Sequence, residues 1–120
     1  MKLPKYRAWS KTEKTMSDVI RIDFLNEEVD AFSFEENETE KVEFMSSTGL
    51  FDKNGTEIFE GDILELKDGD EPVYLYVIYK DGKFMAVENE ERGYFADLVD
   101  CTAYHSVVGN IYENAELIGR

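Results

Sequence analysis

At 120 residues, with 42% hydrophobic and 13% aromatic side chains, the chain carries enough apolar material for a folded core, and general disorder is excluded. Its formal net charge is −14, and a body that acidic repels phosphate, which argues against ordinary DNA or RNA binding. The single cysteine cannot form an internal disulfide and points to a reducing cytoplasm; no apolar run reaches the roughly 18 residues of a transmembrane helix.

The basic start, Met1-Lys2-Leu3-Pro4-Lys5-Tyr6-Arg7, is followed by no apolar stretch, so it does not read as a secretory signal. Ile20, Ile22 and Phe24 then alternate with Arg21 and Asp23, the period of a half-buried strand. Asn26-Glu27-Glu28 turns the chain towards a strand over 29–34, and the polar run 35–40 reads as an exposed loop. Val42 and Phe44 resume the alternation up to Met45.

Asp52-Lys53-Asn54-Gly55 places glycine where a tight turn with a bulge needs a positive φ. The strand from Ile58 to Leu66 is interrupted at Gly61-Asp62, as at a bend or bulge. The stretch 67–72 (Lys-Asp-Gly-Asp-Glu-Pro) is predicted as a loop. Val73 to Tyr79 is the most β-prone heptad and is apolar on both faces, which predicts a central strand. Lys80-Asp81-Gly82-Lys83 reverses it into Phe84–Val87 as a hairpin. Residues 94–99 fit one helical turn or a short strand equally well. Val107 to Tyr112 forms a last strand with a bend at Gly109-Asn110, and 113–117 a closing tail. The fold expected is mainly β, with an N-terminal β region over 1–45 and an SH3-type barrel or roll over 46–120.

Three blocks carry a resemblance. They are Lys5-Tyr6-Arg7-Ala8-Trp9-Ser10-Lys11 with Met16; residues 47–63 (Ser-Thr-Gly-Leu-Phe-Asp-Lys-Asn-Gly-Thr-Glu-Ile-Phe-Glu-Gly-Asp-Ile); and residues 107–114 (Val-Val-Gly-Asn-Ile-Tyr-Glu-Asn) with Glu116-Leu117. Through them the chain resembles the YopX family of phage and prophage proteins. The resemblance implies an N-terminal β region followed by an SH3-type barrel or roll, and it implies no activity or catalytic residues. Ala115 departs from the pattern, since relatives often carry proline before Glu-Leu.

No catalytic, cofactor-binding or metal-binding constellation is expected. His105, the only histidine, lacks a histidine or cysteine companion for metal or nucleophilic chemistry. Cys101 lies four residues away, which in a strand would be about 13 Å, too far for a dyad. Residues 52–57 echo a calcium loop but lack its third acidic position and distal glutamate, and read as a turn. The cluster Asp68, Asp70 and Glu71 holds an ion weakly or is simply a solvated loop. Glu60 with Asp62 is the sort of carboxylate pair an enzymatic reading would need, but acids are too numerous to single one out. Gly61-Asp62 and Gly109-Asn110 sit in no phosphate-binding pattern. Tyr74 and Tyr76 share a face as a binding stripe or, more simply, a core wall.

Charge gives the most specific expectation. Residues 1–21 hold six cations against two anions, a +4 head on a −18 body. The charge serves solubility alone, or the head docks on an acidic surface, its own or a neighbour's, with Tyr6, Arg7 and Trp9 as the candidate interface within it. For Trp9 the simpler reading is closure of a core or docking within the chain, with an intersubunit anchor as the alternative. The expected function is a non-enzymatic, self-associating accessory protein in the host cytoplasm, acting on itself or on a host or phage protein. The alternative is an acidic mimic of nucleic acid that occupies a host DNA-binding protein.

Overall fold

The computed structural model describes residues 3–89 and 94–119. It divides into two compact units, Met1–Ser47 and Thr48–Arg120. Among the described residues there is no α-helix, only ten strands and three short 3-10 turns, and hence no helix long and apolar enough to cross a membrane.

Unit 1 is built on β1 (Tyr6–Ser10), β2 (Thr15–Asp23), β3 (Glu28–Ala31) and the first part of β4 (Val42–Phe51), in the order β3-β2-β1-β4 and antiparallel throughout. Residues directly opposite in the register share a face. The pairs Ala8↔Phe44, Ser10↔Val42 and Ala8↔Ser17 therefore put Ala8, Ser10, Ser17, Val42 and Phe44 on one face, and Tyr6 with them. That face carries the core: Ala8, Val29, Phe34 and Val42 are buried, and Val19, Ile22, Ala31 and Phe44 pack against them.

The expected alternation fails in β2. A register shift between Val19 and Arg21 leaves Ile20 as an extra residue, 66% exposed, while Val19 and Ile22 both reach the core. The strand expected over 29–34 is also shorter. β3 stops at Ala31, and the chain folds back over the sheet through the bonds from Phe32 N to Asp18 O and from Ser33 N to Ser17 Oγ. That reversal buries Phe34, worth roughly 1.5–3 kcal/mol, and turns Phe32 outwards at 81% exposure. The acidic loop after it is pinned, because the Glu13 carboxylate accepts the amides of Glu35 and Glu36.

Unit 2 contains β5 (Glu57–Phe59), β6 (Asp62–Asp68), β7 (Glu71–Lys80), β8 (Lys83–Asn89), β9 (Tyr94–Asp97) and β10 (Ser106–Asn110). Its five-stranded antiparallel sheet runs β10-β6-β7-β8-β9. β7 is central, as its two-sided apolarity predicts, and its alternate residues feed two cores. Leu75 and Val77 join Ile58, Leu64, Ala86 and Leu98; Tyr74, Tyr76 and Ile78 join Ile63 and Val87. The sheet ends at β10 and β9 among the described residues, so it is an open sheet and not a closed barrel.

The turns follow local chemistry. Asp81 and Gly82, with φ of 53° and 84°, make a two-residue turn that closes Lys80 against Lys83. Gly55 takes φ 84° in the turn where Asp52 N bonds Thr56 O and Gly55 N bonds Asp52 O. The loop expected over 67–72 is only the turn Gly69-Asp70, because Lys67 pairs with Pro72 and Asp68 with Glu71 as strand residues. Residues 94–99 resolve into β9 followed by a 3-10 turn, Leu98–Asp100.

Candidate interaction site

β1 does not present Tyr6, Arg7 and Trp9 together. Strand alternation puts Tyr6 on the core-bearing face with Ala8, and Arg7 and Trp9 on the other, where the register sets Trp9 opposite Met16 and Glu43. Trp9 is 9% exposed and buried, Arg7 is half-buried, and Tyr6 alone is exposed. Part of the basic head is also engaged within unit 1: Lys11 Nζ lies 3.1 Å from a Glu43 oxygen and Arg21 Nε 2.7 Å from Asp30.

The apolar surface of unit 1 gathers elsewhere, at the tip of the β2–β3 hairpin. Phe24 and Leu25 are 86% and 90% exposed. Their backbone is held by Asp23, whose Oδ1 accepts the amides of Leu25 and Asn26 while Oδ2 accepts Asn26 Nδ2. These bonds, the Asn26 side chain first, hold the Asp23 carboxyl below the usual carboxylate range. Glu27, at φ 54°, completes the reversal. The tip is therefore a side-chain-capped turn that shows two apolar side chains to solvent.

Beside it lies an open groove of about 390 Å³ lined by Tyr6, Ile22, Asp23, Phe24, Glu27, Thr39 and Phe44. Tyr6, Ile22 and Phe44 bring the core-bearing face to it, Asp23, Phe24 and Glu27 the hairpin tip, and Thr39 the returning segment. A smaller recess of about 200 Å³, formed by Asn26, Glu27, Glu38, Thr39 and Glu40, adjoins it, sharing Glu27 and Thr39. An apolar hole thus opens beside an acidic one. The sequence signal for this site was the Phe24-Leu25 pair between Asp23 and Asn26, which extension of the strand period through Phe24 concealed.

In unit 2 the singled-out polar residues are committed to structure. Asp52 is 7% exposed; its Oδ1 accepts Asn54 N and Thr56 N, and its Oδ2 accepts Val107 N, each at 2.8 Å. Burial opposes its ionisation, but the amides of Val107, Thr56, Asn54 and Gly55 outweigh it and hold the carboxyl below its ordinary value. Asp62, 2% exposed, accepts Phe59 N at 2.8 Å. Thr48 Oγ1 accepts Leu50 N and donates to Ile58 O, closing the ladder where Gly49 takes φ 76°. Asn110 Oδ1 accepts Tyr112 N and Glu113 N, while Asn114 Oδ1 accepts Asn110 N.

The spacing assumed for Cys101 and His105 is overturned. They flank a turn, not a strand, and His105 Nδ1 lies 2.7 Å from Cys101 O, so Nδ1 carries the proton and donates it. The ring therefore meets the cysteine's carbonyl; the thiol donates to Asp97 O, and burial raises its pKa. Buried Nε2 has no hydrogen-bond partner among the described residues. Tyr76 is core and Tyr74 half-buried, whereas Tyr79 is exposed and stacks edge-on with Phe84, centroids 5.1 Å apart. Of the acidic cluster at the β6–β7 turn, the Asp68 side chain lies outside the described residues, and Asp70 and Glu71 are exposed.

Comparison with known proteins agrees with this architecture. The family described as YopX protein matches residues 5–119. The crystal structure of protein EF1440 from Enterococcus faecalis is similar at 31% identity and a TM-score of 0.70, covering 98% of this chain and 99% of that one. YopX from Bacillus subtilis is similar in fold, at 19% identity and a TM-score of 0.60, over 94% and 96% of the two chains. No curated protein matches.

Proposed function

The chain belongs to the YopX family, and on that footing we propose that it is a non-enzymatic phage or prophage accessory protein of the host cytoplasm, which associates with itself and acts through protein contacts. The observation that supports this reading is the hairpin tip, where Phe24 and Leu25 stand 86% and 90% exposed on a backbone fixed by Asp23. Large apolar side chains displayed on a hydrogen-bonded turn beside an apolar groove are the chemistry of a contact surface. Trp9 is 9% exposed, so in this reading the exposed Phe24 and Leu25 carry the contact in its place. The same reading takes unit 2 as an SH3-type roll, supported by its run of antiparallel strands joined by tight turns.

Sedimentation velocity at micromolar concentration and low salt tests the association. The wild type is expected to associate, and a Phe24→Asp/Leu25→Asp variant to sediment as a folded monomer. A strictly monomeric wild type refutes self-association. The second reading, nucleic-acid mimicry, is favoured by the −18 carried by residues 22–120. Its test is capture from host lysate followed by salt elution, and recovery of no basic DNA-handling protein counts against it.

A further inference from the structure

We propose that the groove beside the hairpin tip receives the head of a second copy of this chain, with Leu3 filling the apolar hole and the flanking positive charge facing the acidic recess. This deepens the self-association reading above and rests on it. Leu3 is 82% exposed, set between Lys2 and Lys5 in the sequence and followed by Pro4, which limits the backbone freedom to be lost on docking. The receiving side has the matching pattern: Ile22, Phe24, Phe44 and Tyr6 line the hole, and Glu27, Glu38 and Glu40 the recess next to it. A segment with an apolar residue between two cations is the complement of an apolar hole adjoining a cluster of acids.

Leu3 of the same chain stands 82% exposed and does not line its own groove, which leaves that groove open to the head of a second copy. Tyr6 both begins β1 and lines the groove, so the head leaves the sheet at the groove's own edge. Leu3 is three residues from Tyr6, a reach of roughly 10 Å in extended chain. A two-fold axis near Tyr6 would bring each head within that reach of the other's groove, so that both docking events would form together. The contact is isologous, so it closes as a dimer and does not propagate into a filament.

The experiment is sedimentation velocity on the full chain, with binding of a synthetic peptide of residues 1–6 as its second arm. Leu3→Asp removes the apolar plug from a position that is already solvent-exposed, so folding is retained and is checked by circular dichroism. Dimerisation of that variant is expected to weaken at least about tenfold. Glu27→Lys is expected to weaken it as well, and wild-type association to loosen as salt rises. Fluorescently labelled peptide should bind the Leu3→Asp protein, whose groove is vacant of a competent head, and fail to bind when Phe24→Asp is added.

A wild type that associates while Leu3→Asp associates equally well overturns this inference and leaves self-association standing. A monomeric wild type overturns both. Peptide that fails to bind, or that binds irrespective of Phe24→Asp, overturns the assignment of the groove. A Lys-Leu-Lys peptide of unrelated flanking sequence that binds as tightly as residues 1–6, with Leu3→Asp harmless to assembly, also overturns it by making the occupant a foreign basic segment.

Discussion

Replacing Asp52 by asparagine isolates the bond set that fastens the β4–β5 turn to β10. The carboxylate satisfies Asn54 N and Thr56 N through Oδ1 and Val107 N through Oδ2, each at 2.8 Å. Asparagine retains one acceptor oxygen, so its NH₂ group must face either the turn amides or Val107 N–H, donor against donor. One charge-assisted bond is lost, worth about 1.5–3 kcal/mol, and the two that remain become neutral and weaker. Relief of the buried charge offsets part of this, which leaves a net destabilisation of about 2–4 kcal/mol against a total stability of about 5–15.

Urea unfolding followed by circular dichroism measures that loss as a lower midpoint at unchanged slope. Asp70→Asn is the control, because Asp70 is exposed on the β6–β7 turn and the substitution makes the same change in net charge. It should cost no more than about 0.5 kcal/mol. The pH dependence supplies a second check. A carboxyl whose folded pKa lies below its unfolded value stabilises fully above the unfolded value, about 3.9, and loses that contribution as pH falls through the folded one. The gap between wild type and Asp52→Asn should therefore be constant near neutrality and close below about pH 4. Equal midpoints for Asp52→Asn and Asp70→Asn, or a gap that widens in acid, refute the staple.

Trp9→Ala should destabilise the fold by about 3–5 kcal/mol, since the side chain is buried; a loss under about 1 kcal/mol in urea unfolding would contradict that burial. Gly109→Ala would set a Cβ against the Asn114 carboxamide, whose oxygen accepts Asn110 N, at a cost of about 1–3 kcal/mol. That cost should shrink in an Asn114→Ala background, and strict additivity in the double mutant would exclude the clash. Gly49→Ala meets nothing within 4 Å but must hold φ 76°, so it should cost about 1–2 kcal/mol through backbone strain alone. Moderate salt should raise the melting temperature by screening repulsion within a body of −18. A steady fall from low to physiological salt would mean that pairs such as Lys83–Asp97, 2.9 Å apart, outweigh the repulsion.

How much of the molecule was legible in its residues divides by range. Asp81-Gly82 and Asp52 to Gly55 announce their turns, because a positive φ is a local demand that glycine and its neighbours answer within four residues. The central place of β7 was equally visible, since a strand apolar on both faces is stable only with a core on each. The candidate site was not legible. Which face of β1 carries Tyr6 and which carries Trp9 follows from alternation, yet that Phe34 returns over the Tyr6 face and leaves Tyr6 itself exposed, while Trp9 and Met45 are buried on the other, depends on segments distant in sequence.

The β class, the position of the tight turns and the separation of a basic head from an acidic body can all be read from the residues in order. These depend on backbone sterics, side-chain period and charge, all fixed residue by residue. It takes the assembled fold to drop Ile20 out of register, to continue residues 67–72 as two strands, to set His105 against the carbonyl of Cys101, and to leave Phe24 and Leu25 in solvent while burying Trp9. Burial and pairing are relations between distant segments, and an apolar side chain carries no local mark of whether another segment will arrive to cover it.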